Sequence, residues 1–368
     1  MQKKLIALAI AGLASSAAFA QTNVTVYGKI DMSYEHSSGT NGSKTSGINS
    51  GGHDGSRLGF RGEEALGNGM KAIFGLEYGS LKADVNAGIT GSRQTYVGLA
   101  GDFGTVKLGN IYATGANFAG KYDSLDAANS YSPLQYFAFV AGSSINTAAT
   151  QNSVGYTSPV LGGGFTLRGV VGFAPKIGDS TVPYTTSSQE RLYGVGVDYD
   201  MGPLSIGVVH HRVNHVGNTA NANQRENAFA ATYDFGMLAL TGTWQTLKAE
   251  NAAGAANANF NIKSLGMTVP FGKVDLLRLM YARFDQKFDS AATPLYNEQA
   301  DDANSWGVVF EHSLSKRTIA YAGYNKMNNK GLAKFKTPAG NGNGGETNAT
   351  VLAGQDSTGY GFGVIHNF

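Results

Sequence analysis

The chain has 368 residues, 51 of them glycine and none cysteine, with 11% aromatic and only 15% charged residues. Lys3 and Lys4 account for the whole formal net charge of +2, so bulk charge points neither to nucleic acid nor to an acidic partner. The lack of cysteine excludes a disulfide framework and a lipoprotein anchor, and it suits a chain that crosses an oxidising compartment unfolded.

Residues 1–20 read as a secretory signal. Lys3 and Lys4 form the charged region, Leu5 to Ala14 the apolar one, and Ala18-Phe19-Ala20 a small-residue cleavage site before Gln21. That apolar run is too short to span a bilayer as a helix, and no later run approaches the ~18 residues required. Residues 21–368 are expected to form one domain.

From there, segments of alternating hydrophobicity follow one another. Leu58 and Phe60 oppose Arg57, Gly59, Arg61 and Glu63; Met70, Ala72, Phe74, Leu76 and Tyr78 oppose Lys71, Gly75 and Glu77. Phe165, Leu167, Val171 and Phe173 oppose Thr166, Arg168 and Gly172, and Tyr193, Val195, Val197 and Tyr199 oppose Gly194, Gly196 and Asp198. Leu238, Leu240 and Trp244 oppose Thr241, Thr243 and Gln245, while Trp306, Val308 and Phe310 oppose Gly307 and Glu311. The stretch from Val274 to Phe284 breaks the alternation, with Leu276, Leu277, Leu279 and Met280 in near succession and Arg278 fitting neither face. Tyr360, Phe362, Val364 and Phe368 share one face of the last strand.

The connections alternate between short and long. Tight turns fall at Leu66–Gly69, Gly101–Gly104, Pro159–Gly164, Asp200–Pro203, Asp234–Gly236, Pro270–Lys273 and Ser313–Lys316, and long polar loops lie between them. These turns, with two chain ends meeting on the same side, give about sixteen antiparallel strands of roughly ten residues. A half-buried strand of a soluble sandwich would show the same alternation in any one segment, but a sandwich has no reason to keep its short turns on one side. The pattern predicts an all-β, sixteen-stranded antiparallel transmembrane barrel with short periplasmic turns and long external loops.

Several segments resemble the general porins of Gram-negative bacteria, especially the trimeric β-proteobacterial family. The opening Val26-Tyr27-Gly28-Lys29-Ile30-Asp31 is similar to that family's first strand. Ser56 to Glu64 with Leu66 to Ala72, and Ser92 to Leu99 with Asp102 to Gly109, resemble its second to fifth strands. Asn152 to Pro159 and Leu314 to Thr318 complete the set. The aromatic carboxy-terminus at Phe368 resembles the assembly signal of outer-membrane proteins.

The resemblance implies a homotrimer in outer-membrane lipid and lipopolysaccharide, each barrel carrying a third loop folded into its lumen. Residues Asn110 to Thr150 are where that loop belongs, with Ser132 to Phe137 suited to a turn of helix. It further implies a charged constriction in which acidic loop residues, here Asp123 and Asp126, face the basic wall residues Lys29, Arg57, Arg61 and Arg93. Gln151 and Asn110 stand where relatives carry basic residues; Arg168, inward by parity, is expected to compensate in part. The implied function is passive diffusion of ions and small hydrophilic solutes with a mild anion preference. A solute-specific channel, and a surface receptor or adhesin with a closed lumen, are the alternatives.

Competing motifs carry less. Gly115 to Lys121 has most of a phosphate-loop spacing, but Tyr122 replaces the hydroxyl that would hold magnesium. His210, His211 and His215 read as solvated rim residues, since neighbouring strand positions face opposite ways and no carboxylate or cysteine is adjacent. No G-x-S-x-G elbow occurs. Neither an enzyme nor a cofactor is expected.

Overall fold

In the computed structural model, the described residues are 23–79, 81–82, 91–140, 142–145, 149–173, 190–215, 223–250, 256–287, 301–337 and 351–368. The expected signal, residues 1–20, lies outside them. Strands run β1 (Asn23–Gly39), β2 (Lys44–Ser50), β3 (Arg57–Gly67), β4 (Met70–Tyr78), β5 (Ser92–Gly101) and β6 (Gly104–Ile111). Two short helices follow, α1 (Thr114–Tyr122) and α2 (Pro133–Val140). The chain continues with β7 (Thr150–Thr157), β8 (Phe165–Gly172), β9 (Glu190–Met201), β10 (Leu204–His215), β11 (Asn223–Asp234) and β12 (Ala239–Glu250). It ends with β13 (Ala256–Phe271), β14 (Asp275–Gln286), β15 (Ala303–Ser313), β16 (Thr318–Asn329) and β17 (Ser357–Asn367).

Apart from β2 and β3, which both pair with β1 and not with each other, every strand pairs antiparallel with its sequence neighbours, and β17 pairs with β1 to close the sheet. The seventeen segments make sixteen barrel strands because β2 and β3 share one position. β2 pairs with the upper part of β1 (Met32 to Ser38) and β3 with the lower part (Asn23 to Lys29). Between them Gly51 to Ser56 leaves the sheet. The buried Asp31 carboxylate holds this excursion, accepting the backbone N–H groups of His53 and Asp54 at 2.8 Å and the Tyr321 hydroxyl at 2.7 Å.

The seven turns expected from sequence are observed as short connections at one end of the barrel, and Thr40 to Ser43 between β1 and β2 is a further short connection at the other end. At the first, Gly67, Asn68 and Gly69 have φ of 86°, 50° and 76°, a left-handed run that glycine and asparagine tolerate and branched residues do not. Alternation also settles β14: Arg278 points inward and pairs with Glu311 at 2.5 Å, while Tyr281 points outward against Trp306 with ring centroids 4.7 Å apart.

Outward positions are apolar and uncovered, as a lipid-facing wall requires; Val195 and Phe362 are each 59% exposed. At the terminus, the Phe368 N–H donates to the Gly28 carbonyl at 3.1 Å and Gly28 N–H returns the bond at 3.2 Å. The packed interior lies inside the barrel. Phe137 of α2 meets Phe284 and Phe335 there, at centroid distances of 5.7 and 5.0 Å.

Candidate lumen site

The segment after β6 folds inward along one side of the barrel. Helix α1 packs against β8 to β12 and α2 against β13 to β15. The stretch read as a near phosphate loop is therefore α1, a helix docked on the wall. The loop is fastened at both ends to one pair of residues. At its start, the Gly115 N–H donates to His211 Nε2 at 3.1 Å. At its end, the Ser144 N–H donates to Glu226 at 2.7 Å and the Ser144 hydroxyl lies 3.0 Å from His211 Nδ1. Accepting at Nε2 makes His211 a neutral imidazole, and it is completely buried. The sequence reading placed His211 at the rim; parity separated it correctly from the exposed His210, but a loop docking from a hundred residues away covers it.

In mid-loop, Tyr122 donates to Asp198 at 3.1 Å and Lys121 reaches Asp200 at 2.5 Å. The Asn129 and Ser130 N–H groups donate to the carbonyls of His53 and Gly52 at 3.2 and 2.8 Å, joining the loop to the inward excursion. The Tyr131 ring lies flat on Gly323, where a Cβ would come within 2.6 Å of it.

The wall from β1 to β6 is left free of both helices, and there Lys29, Arg57 and Arg93 are brought together. Lys29 and Arg57 both hold Asp54, the latter at 2.9 Å. Arg57 lies 4.0 Å from Glu77, and Arg93 contacts Glu77 at 2.8 Å. Tyr112 and Tyr27 donate to the same carboxylate at 2.6 and 3.0 Å. Three cations thus share two carboxylates. Neither Asp54 nor Glu77 was among the expected site residues; Glu77 carries the inward parity that could have found it.

Arg61 lies further toward the short-turn mouth, exposed, and pairs with no carboxylate among the described residues; its guanidinium stacks 5.0 Å over the Tyr27 ring. Lys107, an inward residue missed from sequence, stacks 4.2 Å over Tyr96. Arg61, Lys107, Tyr96 and Thr157 line a recess of 580 Å³. Glu63 at its edge is held by Lys71 at 2.8 Å.

The other expected residues are placed elsewhere. Arg168 pairs with Asp198 beside α1, away from the cluster. Asp123 does not face the arginines: it is 5% exposed and accepts from the Ser132 hydroxyl and, at 2.8 Å, from the Leu125 N–H. Burial pushes its carboxyl up to about 6 in spite of those bonds. Asp126, three residues on, is exposed, with Arg278, Asp54, His53 and Glu311 as its charged neighbours.

A closed sixteen-stranded barrel with an internal loop and a charged inner wall has a counterpart among known proteins. The profile of the Gram-negative porin family matches residues 7–332. The chain belongs to that family. This porin is 34% identical to outer membrane porin protein 32 of Delftia acidovorans over the full length of both chains. It is 29% identical to the major outer membrane protein P.IB of Neisseria meningitidis serogroup B, covering 92% of this chain and 98% of that one. The solved anion-selective porin from Comamonas acidovorans superposes with a TM-score of 0.77 at 29% identity, over 95% of this chain and all of that one. As a porin it is an outer-membrane diffusion channel, and family and fold indicate transport rather than catalysis.

Proposed function

We propose that this porin passes ions and small hydrophilic solutes passively, without a chemical step, and with a mild preference for anions. The observation that carries the preference is the excess of positive charge on the open wall. Lys29, Arg57 and Arg93 outnumber Asp54 and Glu77, while Arg61 and Lys107 have no carboxylate partner among the described residues. A water-filled lumen bounded by low-dielectric lipid concentrates that field on permeating ions. The loop sets the size limit, and Asp126 supplies negative charge from its side. The anion-selective relative supports the same reading. Lys29, Arg57, Arg61 and Arg93 form the basic side of the constriction, and Arg168, neutralised by Asp198, contributes little.

Assembly as a homotrimer fits the outer wall of the first strands, where Val26 and Ile30 are 55% and 43% exposed beside the small Gly28. Residues 1–20 serve export. Conductance across a planar bilayer tests the reading. Ohmic openings in groups of three, with a reversal potential on the anion side in a salt gradient, are expected. Conductance that saturates with one solute would indicate a specific channel, and no conductance a closed receptor barrel.

A further inference from the structure

The excursion from Gly51 to Ser56 brings the Asp54 carboxylate to the lumen, and the backbone there is fixed without that carboxylate's help. Asp31 accepts the N–H groups of His53 and Asp54, and His53 Nε2 lies 2.9 Å from Glu311. From the loop side, the Asn129 side-chain amide donates to the Gly51 carbonyl at 2.8 Å. These bonds belong to the backbone and to neighbouring residues, so they set the place of Asp54 independently of its charge.

The carboxylate itself bonds only to cations among the described residues. Arg57 Nη1 donates to Oδ1 at 2.9 Å and Nη2 to Oδ2 at 3.2 Å, a two-pronged pairing, and Lys29 adds its ammonium at Oδ2. Glu77 differs, since Tyr27 and Tyr112 donate to it beside Arg93 and build it into the wall. What Asp54 receives, a forked guanidinium and a point charge, is what a small free carboxylate would receive at the same place. The side chains of Lys29, Arg57 and Asp54 are 19%, 20% and 24% exposed, so water and ions reach them. Burial opposes the charge on Asp54, yet Arg57 and Lys29 hold its carboxyl down at about 2, and it stays ionised at neutral pH.

We propose that Asp54 is a specificity-determining residue, a tethered carboxylate that fills an anion site on Lys29 and Arg57 and so prevents permeating anions from being retained there. The proposal rests on the reading of this wall as the path of permeating anions. A group on a short tether competes at an effective concentration of about millimolar or more. A passing anion therefore gains little from the two cations and leaves quickly, as a general channel requires. Without the carboxylate, the two cations would hold small carboxylates.

The test is the reversal potential of Asp54→Ala in a planar bilayer, with symmetric additions of acetate or of its neutral isostere acetamide. One unit charge ~5 Å from an ion changes its local concentration about fourfold at the dielectric of water. The chloride-to-potassium permeability ratio of the variant is expected to rise by that factor or more in dilute salt. Acetate is expected to return the ratio toward the wild-type value, acetamide to leave it raised, and neither to change the wild type. Asp54→Glu, which keeps the charge, is expected to restore most of the wild-type ratio. Asp54→Asn, which keeps the shape, serves if the alanine variant fails to assemble, and its ratio is expected to rise likewise. An unchanged ratio in the assembled variant, or a raised ratio in Asp54→Ala that acetate does not lower, would overturn the proposal. A wild type that prefers cations would refute the proposed anion preference instead, and the rise in the variant and its reversal by acetate would still decide the role of Asp54.

Discussion

Replacing Arg61 and Lys107 together by glutamine isolates the electrostatics of the lumen better than any other change. Both cations rest on neutral tyrosine rings at 5.0 and 4.2 Å, so neither removal strands a carboxylate. Removing Arg57 would instead leave Asp54 and Glu77 short of a partner and confuse the result. An ion passing ~5 Å from one unit charge gains ~0.8 kcal/mol at the dielectric of water and ~3 kcal/mol at an effective value near 20. A wet recess lies near the lower limit, so each cation changes local anion concentration about fourfold and the pair roughly sixteenfold. The assay is the reversal potential across a tenfold KCl gradient. Between about 10 and 100 mM salt, where the screening length is ~10–30 Å, the double variant is expected to shift strongly toward cations. Near 1 M salt, with screening over ~3 Å, the shift is expected to vanish. Arg61→Lys, which keeps the charge, is expected to behave as wild type. A native reversal potential for the double variant in dilute salt would show that permeating ions do not pass this recess.

Asp123→Asn is expected to leave selectivity nearly unchanged, because the carboxylate is turned into the loop. Its pKa is raised above the unfolded value of ~3.9, so the stability it contributes is complete below pH ~4 and is lost as pH rises through about 6. Heat denaturation of the wild type is therefore expected to move to higher temperature between pH 7 and pH 5, and a variant with equal pH dependence would refute this role. Glu226→Gln removes charge-assisted bonds to the loop, each contributing ~1.5–3 kcal/mol. Lys121 is the only basic residue between Ile111 and Thr150, so trypsin cleavage there reports release, and an unchanged rate would show that the loop is held elsewhere. Gly323→Val places a branched side chain where Tyr131 lies, a clash of ~1–3 kcal/mol, and noisier, larger single-channel openings are expected. Phe368→Asp is expected to lower the yield of folded, heat-modifiable porin in the outer membrane, and normal yield would remove its assembly role.

The barrel was legible because lipid imposes a rule on every strand: one apolar face, one polar face, no open edge. Parity therefore placed Arg57, Arg61 and Arg168 on the inner face, and the breaks between its runs located the seven turns at one end of the barrel, though not the Thr40 to Ser43 connection between β1 and β2. The loop obeys no such periodicity. Nothing in the local sequence tells Asp123, which accepts its own backbone N–H bonds, from Asp126, which faces water. The stretch from Gly51 to Ser56 reads as another polar loop, and only the distant Asp31 and Tyr321 turn it inward to deliver Asp54 to Lys29 and Arg57. His211 and Glu226 likewise depend on partners some hundred residues away. What was missed is contact between elements far apart in the chain.

The attachments of the internal loop also order events in time. Ser130 bonds Glu35 on β1, Tyr131 lies on Gly323 of β16 and touches Gly361 of β17, and α2 packs on Phe335. Its anchorage thus draws on both ends of the polypeptide and is incomplete until the first and last strands have met. Searching for such distant partners is slow compared with forming neighbouring hairpins. The loop's full set of bonds is therefore available no earlier than closure of the cylinder, and the bore takes its final width only when those bonds are made. A loop held short of those bonds would leave a wider passage inside walls that were already complete.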